Sequence, residues 1–378
     1  MAVPKIRFPE FTDDWEQRKL SDVADSVDTG KSKFDKEGSS GEYPILGSTS
    51  VIGYDDEYDY EGDFILTARV GANAGSLYRY AGKVKISDNT VFIQASQNIE
   101  FLYQLLIRFD IKRLSFGTGQ PLVKASELKR LELMMPTDME EQMRIGVYFK
   151  KLDHLITLHQ RKLDDLRLLK KSMLQKMFPK EGKDVPETRF PGFTDAWEQR
   201  KFSELYAKSS EKNDGSIDMD RNITVATMQF KDDVKVSTAE YLKTYYTFNL
   251  GDIAFEGHQS KEFRFGRFVE NDIGNGIVSH IFTVFRPITE FDLQFWKYAI
   301  NNEMLMQQIL SRSTKASTMM HDLVIDDFLN ETFLVPSLDE QKQIGACLYS
   351  LDHLITLHQR KLEDLQKLKK ALLQQMFC

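Results

Sequence analysis

The chain has 378 residues, which is enough for two or three domains of ordinary size. A net charge of −7 excludes proteins that coat nucleic acid through bulk positive charge, and 41% hydrophobic residues exclude a largely disordered chain. The sequence contains no run of about 18 apolar residues, which a membrane-spanning helix would need. Its two cysteines offer neither a disulfide framework nor a zinc site. We therefore expect a globular protein located in the cytoplasm.

Residues 1–135 have the sequence texture of an α+β domain. Short runs rich in β-branched and aromatic residues, separated by Gly, Asp and Asn, predict strands. A helical pattern follows at 101–114. The strands are predicted at 43–54, 62–71, 76–87 and 89–95.

Residues 136–180 predict a long helix. Pro136 precedes it, acidic residues suit its positively charged N-terminal end, and Pro179 follows it. A three-four spacing of apolar residues predicts a coiled-coil-like seam on a helix of about 27 residues, or about 40 Å. The seam positions are Leu152, Leu155, His159, Leu163, Leu166, Leu169, Met173 and Met177.

The same order of segments then repeats. Residues 181–334 predict a second α+β domain, which includes one helix over 292–310, and residues 335–378 predict a second long helix. The strands of this second domain are predicted at 223–230, 251–257, 264–270 and 280–287.

Two stretches are nearly copied between the halves. RFPEFTDDWEQRKL at 7–20 recurs as RFPGFTDAWEQRKF at 189–202, and LDHLITLHQRKL at 152–163 recurs unchanged at 351–362. The two α+β domains otherwise share hardly any sequence. The copied parts therefore indicate framework, and the divergent parts indicate specificity.

The repeat order favours an antiparallel helix pair. Only about ten residues connect Phe178 to Arg189, and fully extended they span at most roughly 36 Å, so a parallel return is hardly possible. We expect two domains related by pseudo-two-fold symmetry and separated by an antiparallel, coiled-coil-like pair of long helices. Two DNA-reading domains about 40 Å apart suit successive faces of B-DNA, whose turn rises roughly 34 Å.

Helix pairing and partner docking are assigned to positions on both long helices. Apolar residues expected to point outward leave two interpretations open, a docking surface for partner helices or a wider intramolecular seam. They are Ile156, Leu158, Ile355 and Leu357. His159 and His358 are polar residues within the otherwise apolar seams, and we expect them to fix the register of the two helices. The full assignment is Leu152, Ile156, His159, Leu163, Leu166, Leu351, Ile355, His358, Leu362 and Leu365.

These features together resemble the specificity subunit of type I restriction-modification systems. The resemblance rests on the segment order, on paired W-E-Q-R-K motifs at Trp15–Lys19 and Trp197–Lys201, and on the L-D-x-x-I-x-L-x-x-x-K-L helices. It also rests on a Glu-Gln pair shortly after a proline in each half, Glu141-Gln142 and Glu340-Gln341. It covers essentially the whole chain.

Glycine elements of the first domain are similar to the target-recognition pattern of that family. They are Gly62-Asp63, Gly71–Gly75 and the stretch 117–121. In the second domain Gly251-Asp252 is similar, whereas HQSKEFRFG and RSTKAST stand where the other two elements are expected.

The resemblance implies a non-catalytic subunit that reads an asymmetric, two-part DNA sequence, one part with each recognition domain. It implies two methyltransferase subunits and two restriction subunits as partners, besides double-stranded DNA. S-adenosylmethionine, ATP and Mg are expected on those partners, so we expect no cofactor in this chain.

A search for catalytic motifs agrees with that interpretation. The chain has no G-x-x-x-x-G-K-[ST] loop for ATP and no Asn-Pro-Pro-aromatic tetrapeptide of the kind that amino-methyltransferases use. The histidines of each long helix are five residues apart, roughly 140° around the helix, so they cannot share one metal ion. We expect neither a catalytic nor a metal site.

The DNA surface must come from local clusters, because residues 1–135 carry a formal charge of −4 and residues 181–334 carry −8. Arg and the amide side chains can read guanine and adenine edges, while Lys and hydroxyl groups more often hold phosphates. In the first domain the basic cluster includes Arg108 and Lys112. The DNA-binding candidates of this domain are Arg69, Asn73, Arg113, Thr118, Gln120 and Lys124. Those in the second domain are Lys261, Arg264, Arg267, Arg312 and Lys315.

One alternative is a tandem coiled-coil adaptor that binds only proteins. Such an adaptor would show the same seams, yet it would not need loops rich in Gly, Ser, Thr and Arg in two differently elaborated domains. Salt-dependent retention on duplex DNA distinguishes the two functions.

Overall fold

The structure, a computed structural model, describes residues 3–33, 40–114, 121–232, 238–317 and 320–378. The chain divides into two compact units. Unit 1 contains Met1–Arg161 and His358–Cys378, and unit 2 contains Lys162–Leu357. Each unit therefore holds one α+β domain and one segment from each long helix.

Unit 1 is built around a six-stranded sheet in the order β2-β7-β5-β6-β3-β4. All neighbours are antiparallel except β3 and β6, and β1 pairs separately with β8. The strands are β1 (Glu16–Lys19), β2 (Ser26–Thr29), β3 (Tyr43–Leu46), β4 (Val51–Asp55), β5 (Tyr60–Ala68), β6 (Leu77–Ile86), β7 (Thr90–Gln94) and β8 (Glu132–Met135). The helices that begin in unit 1 are α1 (Ile99–Phe109), α2 (Ala125–Lys129) and the long α3 (Met139–Lys176).

Both faces of this sheet are buried along β5. Ile65 packs into the cluster that includes helix α1, while Phe64 and Leu66 pack into a second cluster on the other face. Side chains alternate between faces along a strand, so a run of apolar residues is what a strand covered on both sides requires.

The described residues of unit 2 form a four-stranded sheet in the order β10-β17-β14-β15 and four smaller two-stranded sheets. The strands are β9 (Glu198–Lys201), β10 (Tyr206–Ser209), β11 (Ile223–Thr224), β12 (Gln229–Phe230), β13 (Tyr246–Phe248), β14 (Ile253–Glu256), β15 (Arg267–Glu270), β16 (Gly276–Val278), β17 (Thr283–Pro287), β18 (Thr314–Ala316), β19 (His321–Leu323) and β20 (Thr332–Val335). The helices are α4 (Phe202–Leu205), α5 (Ala239–Leu242), α6 (Leu293–Ile300), α7 (Glu303–Ser313), α8 (Ile325–Asn330) and the long α9 (Leu338–Gln375).

Two predicted helices end earlier than their apolar pattern. The single helix predicted over 292–310 is wrong: α6 and α7 are separate, because the Asn302 side chain caps α7 by accepting from the Met304 N–H at 3.1 Å. Asp110 adopts a left-handed conformation with φ of 61° and ends α1, so the helix predicted over 101–114 stops at Phe109.

The two long helices have 38 residues each, about 57 Å at 1.5 Å per residue. The expected 27 residues and 40 Å are therefore wrong. The apolar seam begins only at Leu152 and Leu351, whereas helical backbone begins thirteen residues earlier, at Met139 and Leu338.

The two helix segments run antiparallel within each unit, as predicted. In unit 1 the Lys369 ammonium lies 2.5 Å from the Asp153 carboxylate. The equivalent pair in unit 2 is Lys170 with Asp352, at 2.6 Å. The same ion pair thus recurs at positions 199 residues apart.

The buried seam follows Leu152, Ile156, His159, Leu163 and Leu166, at alternating intervals of four and three residues. The leucines of this set are buried, as are Leu351, Leu362 and Leu365, while Ile156, Ile355 and both histidines are half-buried. Leu155 and Leu169 are 42% and 43% exposed, so their assignment to the seam is wrong. The step to Ile156 instead of Leu155 keeps the seam on one face of a helix with 3.6 residues per turn.

A buried ion pair ties the start of each long helix to the repeated R-F-P stretch. Arg7 binds Glu141 through two hydrogen bonds of 2.7 Å, and Arg189 binds Glu340 through bonds of 2.6 and 2.8 Å. Both glutamates are fully buried, and the arginine side chains are 10% and 13% exposed. The repeated arginine and the repeated glutamate are therefore partners within each unit.

The glutamine that follows each of these glutamates closes the turn before the helix. Gln142 donates to the Pro136 carbonyl at 2.8 Å, and Gln341 donates to the Pro336 carbonyl at 3.1 Å. A buried carbonyl without a partner is costly, so the Glu-Gln pair stabilises the start of the helix with both of its side chains.

Glu141→Ala is expected to destabilise unit 1 by about 3–5 kcal/mol, because it leaves the buried Arg7 charge without a partner. The matched control is Glu140→Ala, which removes a 60% exposed carboxylate paired with Arg144 and costs less than about 1 kcal/mol. Urea denaturation measures both. Equal losses of stability in the two variants would contradict the account.

The seam of unit 1 contains a histidine pair. The Nδ1 atoms of His159 and His358 are 2.9 Å apart, so one ring donates a hydrogen bond and the other accepts it. Burial, together with the nearby charges of His358 and Lys361, lowers the pKa of His159. The folded protein therefore disfavours the second proton that would break this contact.

Because the pKa of His159 is lower in the folded state, stability is retained above its ordinary pKa of about 6.5 and lost as the pH falls through that value. We expect wild-type stability to decrease between pH 7.5 and 5.5 in urea denaturation, and the double variant H159L/H358L to lose less. The control H154L/H353L replaces exposed histidines of the same helices and keeps the wild-type response. An unchanged pH response in H159L/H358L would rule out the pair as its source.

Candidate nucleic-acid interface

In unit 1 the loop after β5 meets the segment before α2. The Val123 N–H donates to the Arg69 carbonyl at 2.8 Å, and the Gly71 N–H donates to the Pro121 carbonyl at 3.1 Å. Two stretches that sequence analysis assigned to DNA reading, although about fifty residues apart, therefore lie side by side.

A glycine is required where this loop turns back. Gly75 has φ of 83°, and a Cβ there would lie 2.8 Å from the Lys112 backbone nitrogen. The close approach places the glycine loop against the segment that carries Lys112 and Arg113.

The described candidates of unit 1 present their side chains to solvent. Arg69, Asn73, Arg113 and Lys124 are all exposed. Lys124 lies 3.5 Å from Glu127, an ion pair on the surface that stabilises little. Thr118 and Gln120 lie outside the described residues.

Unit 2 repeats this arrangement with different residues. The His321 N–H donates to the Gly257 carbonyl at 2.8 Å, and His258 forms a backbone bridge with Met320, as Val70 does with Leu122 in unit 1. The loop HQSKEFRFG therefore corresponds in position to the loop after β5, and the segment Met320–His321 corresponds to Leu122–Val123, although their sequences do not match.

Three candidates of unit 2 are exposed on these elements: Lys261, Arg264 and Lys315. The Arg264 guanidinium lies 5.5 Å from the centre of the Phe265 ring. That ring in turn makes an edge contact with His321. Aromatic packing thus supports the arginine where unit 1 uses glycine turns.

The other two candidates already have partners within the unit. Arg267 donates to Glu256 at 2.8 Å and to the Ala226 carbonyl at 2.7 Å. Arg312 forms two hydrogen bonds with Glu331, of 2.8 and 2.5 Å. Arg312 also lines a cavity of about 580 Å³ beside Phe178–Lys183, which none of the other four candidates lines.

The Gly251-Asp252 motif is buried and stabilises the sheet, so it is not part of an exposed DNA-reading surface. Asp252 is 1% exposed and accepts from Arg286 at 3.1 Å and from the Asn249 N–H at 2.8 Å. Burial raises the pKa of this carboxyl, and the arginine opposes that rise. The matching Asp63 of unit 1 is exposed.

Sequence analysis missed a polar surface next to Arg69. Lys33, Ser48, Thr49 and Asn89 help to line a cavity of about 510 Å³. The Arg69 N–H donates to the Asn89 carbonyl at 2.9 Å. A signal was present, because Ser87 and Ser279 both precede the tripeptide Thr-Val-Phe by a few residues.

Within the described ranges, no group of three or more His, Cys, Asp or Glu residues could hold a metal ion. The helices of the described chain also include none that is long and apolar enough to cross a membrane.

Comparison with known proteins identifies the family. The family model for the type I restriction modification DNA specificity domain matches residues 12–168 and 195–367. The chain therefore belongs to the type I restriction-modification specificity family, as the sequence resemblance predicted.

Individual relatives are distant. The MjaVIII specificity subunit of Methanocaldococcus jannaschii, a type I restriction enzyme, is 24% identical over 326 residues, which cover 80% of this chain and 75% of that protein. The putative MjaX specificity subunit of the same organism is 26% identical over 231 residues, covering 51% and 53% of the two chains. The crystal structure of the type I system S subunit from M. genitalium has a TM-score of 0.66 at 15% identity and covers 100% of this chain and 99% of its own. That likeness confirms the mixed α and β fold, and the two matches of the family model show the two specificity domains.

Proposed function

We propose that this specificity subunit reads a two-part, asymmetric DNA sequence and that each unit reads one part. The observation that carries the proposal is the pair of equivalent loop clusters. In both units the segment after a central strand is hydrogen-bonded to a segment more than fifty residues later, and both segments present exposed basic side chains.

The differences between the clusters support two different half-sites. Unit 1 offers Arg69 and Asn73 on glycine turns, while unit 2 offers Lys261, Arg264 and Lys315 on a longer loop and a hairpin. Arginine and asparagine side chains can read guanine and adenine edges with two hydrogen bonds each. Two copies of one reading surface would instead favour a symmetric target.

Partners complete the activity. The acidic charge of both domains gives the chain little bulk attraction for phosphates, so methyltransferase subunits supply much of the affinity that is independent of sequence. Two methyltransferase and two restriction subunits bind S-adenosylmethionine, ATP and Mg, and this chain contributes recognition without catalysis in the cytoplasm.

The long helices serve as the spacer and the docking surface. Leu158 and Leu357 are 52% and 54% exposed at equivalent positions of α3 and α9 and are available to partner helices. Ile156 and Ile355 are half-buried in the seam and contribute to pairing instead. The lengths of α3 and α9 determine the number of base pairs between the half-sites.

The reciprocal variants Arg69→Ala and Arg264→Ala test this function. Each is expected to relax base preference in one half-site only, by about 1–3 kcal/mol at the position read, and in different half-sites. The measurement is selection from a random DNA pool by the complex with the methyltransferase partner. Equal weakening of both half-sites by either variant would contradict the proposal. A wild-type complex without any DNA retention would favour the adaptor that binds only proteins.

A further inference from the structure

In each unit the loop before the last strand of the main sheet, β7 or β17, is at the same end of the sheet as the loop that follows the central strand, β5 or β14. In unit 1 the β5–β7 register pairs Ala68 with Thr90, and the next residues, Arg69 and Asn89, are joined by the 2.9 Å backbone bond. In unit 2 the β14–β17 register pairs Phe255 with Thr283. Gly257 follows this last pair by two residues on one strand and Ile281 precedes it by two residues on the other, so both lie at the same end of the two antiparallel strands.

The unit 1 loop is held rigidly. The Asn89 N–H donates to the Ser87 hydroxyl at 3.3 Å, and its carbonyl accepts from Arg69 and from the Ser48 hydroxyl at 3.2 Å. Its side chain is exposed, and the amide makes no hydrogen bond to any described residue. A fixed backbone with a solvent-exposed amide is the arrangement that an adenine-reading asparagine needs.

The charges of this surface favour base edges over phosphates. Lys33 and Asp88 line the same cavity with opposite charges, and the remaining polar lining consists of hydroxyl and amide groups. A site for the DNA backbone would instead concentrate positive charge.

The equivalent loop of unit 2 exposes an apolar residue. Ile281 is 75% exposed, the highest fraction found for a large apolar side chain among the described residues. The loop turns on a bond from the Phe282 N–H to the Ser279 carbonyl at 3.1 Å. An apolar side chain held at this place in water is suited to the methyl group of thymine.

We propose that these two loops, Ser87–Asn89 in unit 1 and Ser279–Phe282 in unit 2, are a second base-reading segment of each unit, with Asn89 and Ile281 as their specificity-determining residues. The inference rests on the proposed function and adds a segment that the glycine and basic motifs did not indicate. Asn89 reads an adenine next to the bases read by the Arg69 loop, and Ile281 reads a thymine in the other half-site.

The chain offers a matched control for each residue. Asn89→Ala is compared with Gln97→Ala, which removes an exposed amide beyond the opposite end of β7. Ile281→Ala is compared with Ile288→Ala, since Ile288 is 56% exposed directly after β17 at its opposite end. Thermal unfolding and assembly with the methyltransferase partner verify that all four variants fold.

The readout is the base preference at every position of both half-sites, from selection of random DNA by the assembled complex. Asn89→Ala is expected to lower discrimination on the order of tenfold at one position of one half-site, and Ile281→Ala to lower it at one position of the other. Both controls keep the wild-type preference.

Three outcomes would overturn the inference: unchanged preference in both variants, equal loss of binding to all sequences, or effects as large in the controls. Selection of DNA by the wild-type complex distinguishes a failure of this inference from a failure of the proposed function. If it selects two half-sites while the variants behave like wild type, only the second reading segment is wrong; if it selects none, the proposed function is wrong.

Discussion

The buried arginine–glutamate pair at the start of each long helix is the contact on which the rest of each unit depends. It joins the R-F-P stretch to the helix, and the neighbouring glutamine closes the turn that leads from the last domain strand. The long helix and the domain are also in close contact next to this pair, at a glycine in each unit. A Cβ on Gly146 would lie 2.7 Å from the Phe101 nitrogen, and a Cβ on Gly345 would clash with the Asp292 carboxylate. Each recognition domain is thereby fixed on its helix, while its loops remain free to differ.

The sequence predicted the framework well because the framework is repeated. The repeated stretches predicted two domains of one plan, and the short link between the halves predicted antiparallel helices. The family comparison and the contacts within each unit confirm these predictions. Helix ends were less predictable. An asparagine cap at Asn302 and a left-handed Asp110 override an apolar pattern that continues past them.

The candidate site was predictable only where glycines or basic residues mark it. Arg69 and Arg264 lie on exposed loops and Lys315 lies on the exposed strand β18, and backbone bonds within each unit join these loops to a segment distant in the sequence. Arg267 and Arg312, however, have carboxylate partners that no sequence spacing reveals. Asn89 and Ile281 were missed because an amide or an isoleucine in a short loop is not a motif by itself, although the same tripeptide, Thr-Val-Phe, follows both loops. The role proposed for them rests on the strand register, which depends on contacts between residues distant in the sequence.

The central claim is that two different reading surfaces are separated by a helical spacer of defined length. Its most direct test inserts seven helical residues into both long helices at equivalent points, after His159 and after His358, which meet in the seam. The insertion adds about 10 Å of helix, equivalent to at most about three base pairs of DNA. Selection of DNA by the resulting complex should return the same two half-sites with a longer gap between them. The same half-sites at the original gap would contradict the claim.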